Sequence, residues 1–171
     1  MTIHREHPFA EPPDPVRRFR GRLGGAVSLW TAGEGASRVG LTVSSVMVAN
    51  GDPAAVVGLL DPDSDLHAAL VATGRGVVQL LQASDRELAE AFGGVVPAPG
   101  GAFRLGGWEQ LAAGPALVGR TRAAVRYVES RDVGWSALVV AEIEEIHLEP
   151  DLGPLEHRRG RYLHPPVGGD R

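Results

Sequence analysis

The chain lacks two residue types that carry much of protein chemistry. Its 171 residues include no cysteine, and all 17 basic residues are arginine, so lysine is absent as well. These absences exclude cysteine-bound zinc, iron–sulfur clusters, thiolate nucleophiles, lysine Schiff bases and the lysine of phosphate-binding P-loops. Any reaction has to use the remaining polar side chains or a bound cofactor.

Long hydrophobic runs are missing too. Hydrophobic residues make up 43% of the chain, but no run reaches the roughly 18 residues that suggest a membrane helix. The first residues carry acids and prolines where a signal peptide would have an apolar core. The net charge of −4 argues against nucleic acid as the main partner. We expect one globular domain, located in the cytoplasm and without membrane contact.

Composition divides the chain into three parts. We expect a polar N-terminal arm over residues 1–15, a domain over 16–165 and a flexible tail over 166–171. The domain pattern predicts many short strands at close spacing, with few helices. A parallel sheet would need a longer crossover, usually a helix, between successive strands. We therefore predict a mainly β (α+β) fold, a closed antiparallel barrel with a few short peripheral helices.

Local patterns predict the boundaries of several elements. Arginine-rich residues 16–23 and apolar spacing over 65–73 predict helices. Ser84 and Glu87, three residues apart, are typical of a capping box that opens a third helix.

The later strands carry three further predictions. We expect Gly114-Pro115 to break a strand over 108–117 and a turn over 130–134. Slipping alternation at Glu144-Glu145 indicates a β-bulge. Glu142 and Glu144 share a strand face, where solvated charge would protect a sheet edge.

The motifs of common enzyme classes are absent from the sequence. No strand is followed by G-x-G-x-x-G at the start of a helix, and Gly134-Trp135-Ser136 lacks the second glycine of a nucleophile elbow. The six histidines are scattered, without the spacing of a metal site. We expect no metal, and the residues alone identify no catalytic group.

Residues 39–53, VGLTVSSVMVANGDP, are the most informative stretch. A β-branched run alternates with small polar side chains and ends in paired serines. Serine hydroxyls at the end of a strand can donate to an electron-rich planar ligand or to a phosphate. Taken alone, the pattern favours an ordinary half-exposed strand with its polar residues facing water.

In chain order, four segments resemble the flavin reductase-like family, whose members fold as FMN-binding split barrels. The segments are SLWTAGEGASRVGLTVSSVMVANGDPAAVV, the Asp61–Leu70 turn and helix, GWSALVVAEIEEIHL, and PLEHRRGRYL. The resemblance covers residues 19–163. It makes the predicted fold a closed antiparallel split β-barrel.

The resemblance implies a homodimer with flavin, FMN or FAD, where the barrels meet. It implies that Thr42, Val43, Ser44 and Ser45 line the isoalloxazine and ribityl chain. The family's reaction is hydride transfer from NAD(P)H to flavin, and a partner monooxygenase can use the reduced product. Such chemistry belongs to the cofactor, so no acid–base pair is demanded of the protein.

The resemblance also implies a phosphate-binding turn over residues 61–66, with Asp61 and with Ser64 at a hydroxyl position. Carboxylates beside a phosphate need a compensating positive charge, and the candidates for it are Arg17, Arg18, Arg38 and Arg161. Arg161 and Tyr162 are candidates for a position near flavin or nicotinamide, with packing in a solvated tail as the alternative.

The sequence departs from the family pattern at two places. Pro62 and Leu66 stand where relatives have a basic residue and a threonine. Gly134-Trp135-Ser136 stands where relatives often have Gly-Asp-His. Three hypotheses follow: an NAD(P)H-dependent flavin reductase, a protein that binds flavin or another planar cofactor without turnover, and a structural dimer without cofactor.

Overall fold

The computed structural model describes residues 14–163, which form three α-helices and twelve β-strands. The predicted tail, and all but the last two residues of the predicted arm, lie outside the described residues. The helices are α1 Pro15–Leu23, α2 Asp65–Thr73 and α3 Arg86–Phe92. The strands are β1 Gly25–Ala26, β2 Ser28–Ala32, β3 Val39–Val43, β4 Val46–Ala49, β5 Ala55–Leu60, β6 Arg75–Leu80, β7 Trp108–Leu111, β8 Gly114–Leu117, β9 Arg122–Val133, β10 Ser136–His147, β11 Glu156–Arg158 and β12 Arg161–Leu163.

One antiparallel sheet of seven strands dominates, in the order β3-β2-β6-β9-β10-β5-β4. Its two edge strands, β3 and β4, are consecutive in the chain and are joined only by Ser44-Ser45. The sheet therefore has to curl until opposite edges meet at these serines. The mainly β prediction is confirmed. The hydrogen-bonded ladders end at β3 and β4, so full closure of the barrel stays a prediction.

The core lies inside this curl. Alternate residues of β5, namely Val56, Gly58 and Leu60, are buried and face it. From α2, Leu66 and Leu70 cover the same interior and are each 1% exposed. A second apolar cluster lies beneath α3. Burial of apolar area in these clusters is the main stabilising term.

Trp30 fills the centre of the curl and is 1% exposed. Its indole N–H donates to Ser28 Oγ at 3.0 Å, and that hydroxyl donates to the Val43 carbonyl at 2.7 Å. The ring lies against Gly58, where an added Cβ would stand 2.8 Å from Trp30 Cζ2. Both ends of the indole are thereby fixed.

The helix starts agree with the sequence in part. The Ser64 hydroxyl accepts from His67 N–H and caps α2, which ends at Gly74 with φ 71°. The capping box expected at Ser84 and Glu87 is wrong. Asp85 instead accepts from the Gln82 N–H at 2.8 Å, and the box precedes α3.

Asp85 is held there by a contact that local sequence cannot show. The Arg120 guanidinium donates to both Asp85 oxygens, at 2.6 and 2.7 Å. Hydrogen bonding to this carboxylate raises the pKa of Arg120 above its ordinary value. The bidentate pair favours Asp85 as the capping carboxylate.

Three strand predictions need correction or extension. Gly114-Pro115 belongs to β8, because Gly114 lets the chain approach Ala32 closely. The turn expected over 130–134 is shorter, because β9 and β10 pair as far as Val133 and Ser136. The bulge near Glu144-Glu145 is confirmed, and a second register shift lies between Val140 and Ala141.

Glu142 does not protect an edge, because β10 lies there between β9 and β5, whereas Glu144 lies beyond the last residue pair with β5. Each carboxylate instead faces an arginine: Glu142 pairs with Arg126 and Glu144 with Arg75. No helix within residues 14–163 is long and apolar enough to cross a membrane.

Replacing Gly58 by alanine should lower the free energy of unfolding by about 2 kcal/mol, because a Cβ there overlaps a buried indole that cannot move. Chemical denaturation measures the change. Gly107→Ala is the control: a Cβ at Gly107 meets nothing within 4 Å, and its φ is outside the left-handed region. Equal stabilities of the two variants would contradict the packing described for Trp30.

Candidate functional site

A cleft of about 1080 Å³ lies on the outer side of the curled sheet. Its walls are α1, the β11–β12 turn and the Ser44-Ser45 corner; its floor is formed by β4, β5 and the β9–β10 hairpin. The lining residues that concern binding are Arg17, Arg18, Arg20, Arg22, Ser44, Ser45, Met47, Val57, Leu59, Val133, Leu138, His157 and Arg159.

The floor of the cleft is apolar. Val57 and Leu59 alternate with the core-facing residues of β5 and therefore lie on its other face. Met47, Val133 and Leu138 extend this surface. Met47 is 70% exposed and Leu59 is 39% exposed. Apolar side chains this accessible fit a flat ligand that would remove them from water.

Ser44 and Ser45 bring polar groups to one edge of the floor. The Ser45 carbonyl accepts from Leu59 N–H at 3.0 Å, which fixes the corner against β5. Neither serine hydroxyl has a hydrogen-bond partner within residues 14–163. Both hydroxyls are therefore available to a ligand.

The cleft is strongly basic. Five arginines line it, and no acidic residue does. We call this set the arginine rim: Arg17, Arg18, Arg20, Arg22 and Arg159. None of the ion pairs within the described part of the chain includes a guanidinium of the rim.

Helix α1 holds its position through the hairpin turn. It buries none of its own residues, but the Gly21 carbonyl accepts from Arg159 N–H at 2.7 Å. The Asp14 side chain caps α1 by accepting from Val16 N–H. The rim is thus built from two elements that meet at Gly21.

Of the residues predicted to line a flavin, Ser44 and Ser45 reach the cleft. Thr42 points elsewhere: its hydroxyl donates to the Ala89 carbonyl at 2.8 Å, toward α3. Val43 is 3% exposed and belongs to the core. Alternation along β3 places Thr42 and Val43 on opposite faces of the strand, and Ser44 and Ser45 lie beyond its end.

The predicted phosphate turn lies away from the cleft. Asp61 Oδ1 accepts from Asp63 N–H, and the Ser64 hydroxyl is engaged in capping α2. His67 bonds to the Pro62 carbonyl and to Ser130 Oγ, at 3.1 Å each, which ties the turn to β9. Arg38 stacks over Phe103 at 4.6 Å and also lies outside the cleft lining.

Arg161 and Tyr162 lie on β12, directly after the turn that carries Arg159. Tyr162 packs beneath α3 and edge-on to His157, with ring centroids 5.4 Å apart. Burial raises the pKa of Tyr162, and the Glu90 carboxylate raises it further. Arg161 is exposed and does not line the cleft.

The two departures from the family pattern have distinct positions. Leu66 is buried in the core, so it serves packing. Trp135 occupies the tip of the β9–β10 hairpin and is 98% exposed. Val133, two residues before Trp135, lines the cleft.

The site residues that sequence reasoning missed are Arg159 and the apolar floor. The run RRFRGR with no acid inside it, and an arginine before glycine in a hairpin turn, are patterns that could have indicated the rim. The floor could not be found in this way, because its residues come from separate strands.

The described residues contain no group of three or more histidine, aspartate or glutamate side chains placed to hold a metal ion. What the cleft can do is bind: its floor can carry a planar ring, its corner can hydrogen-bond to polar atoms, and its rim can attract phosphate.

Comparison with known proteins identifies the family. Residues 20–165 match the family described as "Flavin reductase like domain". Over 132 residues the chain is 33% identical to FMN reductase (NADH) RutF of Ancylobacter novellus, covering 76% of this chain and 72% of that protein. The chain therefore belongs to the flavin reductase-like family.

Solved structures share the fold. NADH:FAD oxidoreductase SgcE6 of Streptomyces globisporus, in complex with NAD and FAD fragments, is 21% identical and superposes with a TM-score of 0.81, over 94% of this chain and all of that one. BorF, the flavin reductase component of a bacterial two-component tryptophan halogenase, is 20% identical with a TM-score of 0.76, covering 86% and 94% of the two chains. At these identities the similarity establishes architecture alone.

Proposed function

We propose that this protein is an NADH-dependent flavin reductase and that the cleft holds its flavin. The observation that carries the proposal is the combination found there: an apolar floor, two unpartnered serine hydroxyls and five arginines, with no lining acid. A flavin phosphate ester presents the matching chemistry, a planar ring joined through a polar chain to an anion.

Each part of the cleft matches one part of a flavin. Val57 and Leu59 offer a flat apolar surface for an isoalloxazine ring. The Ser44 and Ser45 hydroxyls can donate to ring or ribityl oxygens. Arginine guanidinium groups bind phosphate oxygens in bidentate geometry.

A bound flavin would supply the redox chemistry by accepting hydride from a nicotinamide. The chain's own residues then have to bind, orient and shield the reactants. A cleft whose lining offers no paired acid and base suits this role, because the flavin would carry the redox step. The proposed catalytic contribution is the juxtaposition of two planar rings over one apolar floor.

Our proposal for the flavin and for the hydride donor is drawn from the names of the relatives. The 33% identical relative is named an FMN reductase that uses NADH, and SgcE6 is named an NADH:FAD oxidoreductase. We propose FMN or FAD as the flavin and NADH as the hydride donor. BorF is a halogenase component, and a partner monooxygenase that takes the reduced flavin fits the same role.

A second candidate function rests on the hairpin tip. Trp135 replaces the aspartate expected beside the nicotinamide, and its side chain is almost fully exposed. A flavin-binding protein without reductase turnover would retain the floor and rim and could lack this contact.

We also propose that the protein is a homodimer in the cytoplasm. Three exposed apolar side chains lie on β4 and at the hairpin tip: Met47 at 70%, Val48 at 64% and Trp135 at 98% exposure. A partner subunit covering them would add a wall to the cleft. It would also shield the sheet edge at β4.

Purified protein should bind FMN or FAD and change the flavin's visible spectrum. Ser45→Trp should weaken that binding by about tenfold or more, because an indole would occupy the edge of the floor. Flavin titration followed by fluorescence measures the affinity. Ser84→Trp is the control, since Ser84 is exposed and outside the cleft. If Ser45→Trp binds as the wild type does, the flavin site lies elsewhere.

Under anaerobic conditions, NADH should bleach the absorption band of bound flavin. The rate measured by stopped flow distinguishes the two functions. Flavin that binds but stays oxidised with NADH and NADPH would establish the second candidate. Absence of binding to FMN and FAD would exclude both.

Sedimentation velocity should give twice the mass of one chain. Val48→Arg should yield monomers, because a buried guanidinium without a partner opposes association. Val71→Arg places the same change on α2, where the valine is 51% exposed, and should remain dimeric. A monomeric wild type would exclude the proposed assembly.

A further inference from the structure

We propose that the arginine rim binds the diphosphate of a dinucleotide, either FAD or NADH, and so favours dinucleotides over mononucleotides. The inference rests on the proposed function, because it assigns one subsite of the same cleft. The rim consists of four arginines of α1 together with Arg159 of the β11–β12 turn.

The charge of α1 is unfavourable for folding alone. Arg18 and Arg22 are four residues apart, and Arg17 and Arg20 are three apart, so like charges face each other along the helix. The first turn of α1 contains no acidic residue. No ion pair within residues 14–163 neutralises these side chains. An anionic ligand would remove the repulsion.

Arg159 occupies a backbone conformation that arginine rarely adopts. Its φ is 53°, and Gly160 follows at 75°. Among the described residues Arg159 is the one non-glycine residue with positive φ. Two-residue hairpin turns of this kind favour asparagine, aspartate or glycine at the first position. Turn stability therefore does not explain an arginine here, whereas a ligand contact would.

The turn is positioned to act together with the helix. Arg159 N–H donates to the Gly21 carbonyl at 2.7 Å. This bond brings the fifth arginine beside the last turn of α1. His157, which lies on β11 two residues before Arg159, also lines the cleft.

The extent of the rim favours two phosphates over one. From Arg17 to Arg22 the helix rises about 7.5 Å, which exceeds the width of a single phosphate group. One phosphate is satisfied by one or two bidentate guanidinium groups, and the rim offers five.

The turn over 61–66 is a poorer place for this charge. Asp61, Asp63 and Asp65 surround Ser64, whose hydroxyl already caps α2. Carboxylates next to phosphate repel it. The contrast between an acidic turn and an acid-free rim directs the diphosphate to the rim.

The test compares dinucleotides with mononucleotides in matched variants. Arg159→Asn removes the charge and suits the positive φ, so the variant should fold with unchanged or higher thermal stability. Arg159→Lys keeps a positive charge. Arg104→Gln is the control, because Arg104 is exposed and does not line the cleft.

Two affinity ratios are the readouts, both at low ionic strength. One is the Kd for FMN over that for FAD, from fluorescence titration; the other is the KM for reduced nicotinamide mononucleotide over that for NADH. Arg159→Asn should weaken binding of one dinucleotide about tenfold, with a smaller effect on its mononucleotide. Arg159→Lys should recover part of the loss, and Arg104→Gln should match the wild type.

The outcomes distinguish FAD from NADH as the source of the diphosphate, and they distinguish failure of this inference from failure of the proposed function. A fall in the FAD preference assigns the rim to flavin, and a fall in the NADH preference assigns it to the nicotinamide cofactor. Unchanged ratios in Arg159→Asn and in the Arg18→Gln/Arg22→Gln double variant overturn the inference while flavin binding stands. A wild type that binds no flavin and oxidises no NADH overturns the proposed function, and this inference with it.

Discussion

The two-residue connection between β3 and β4 is the constraint on which the rest of the structure depends. Those strands form opposite edges of a seven-stranded sheet, and Ser44-Ser45 is too short to let the edges separate. The sheet must curl, and curling encloses Trp30 while turning Val57 and Leu59 outward. The same serines stand at the corner where interior and cleft adjoin. Fold and binding surface thus arise from one geometric requirement.

Among the described residues, paired and unpaired arginines lie on different parts of the surface. Three arginines of the central sheet are paired with acids: Arg75 with Glu144, Arg122 with Glu109 and Arg126 with Glu142. The cleft is different, because its arginines come from a helix and a turn that contain no acidic residue, and no acid in the described part of the chain lines it. Although the chain has a net charge of −4, this one concave surface is positive. A local field of this kind attracts anionic ligands even to an acidic protein.

Sequence patterns predicted most elements and part of the site. An arginine-rich run located α1, apolar spacing located α2, and slipping alternation located the bulge in β10. Ser44 and Ser45 were identified and do line the cleft. Thr42 shares their pattern but bonds to Ala89, because burial of its face is decided by α3, which lies far along the chain. The capping box before α3 was misplaced for the same reason, since Arg120 holds the Asp85 carboxylate that closes it.

The sequence by itself determined the class of fold, the excluded chemistries and the family, because periodicity, composition and segment order are local or sequential properties. Tertiary structure alone decided which polar residues share a site. Arg159 and the α1 arginines are more than a hundred residues apart in sequence, and one hydrogen bond at Gly21 unites them. Val57 and Leu59 became a floor only when β4, β5 and β10 paired. Sites depend on long-range contacts, and those follow from packing of the whole chain.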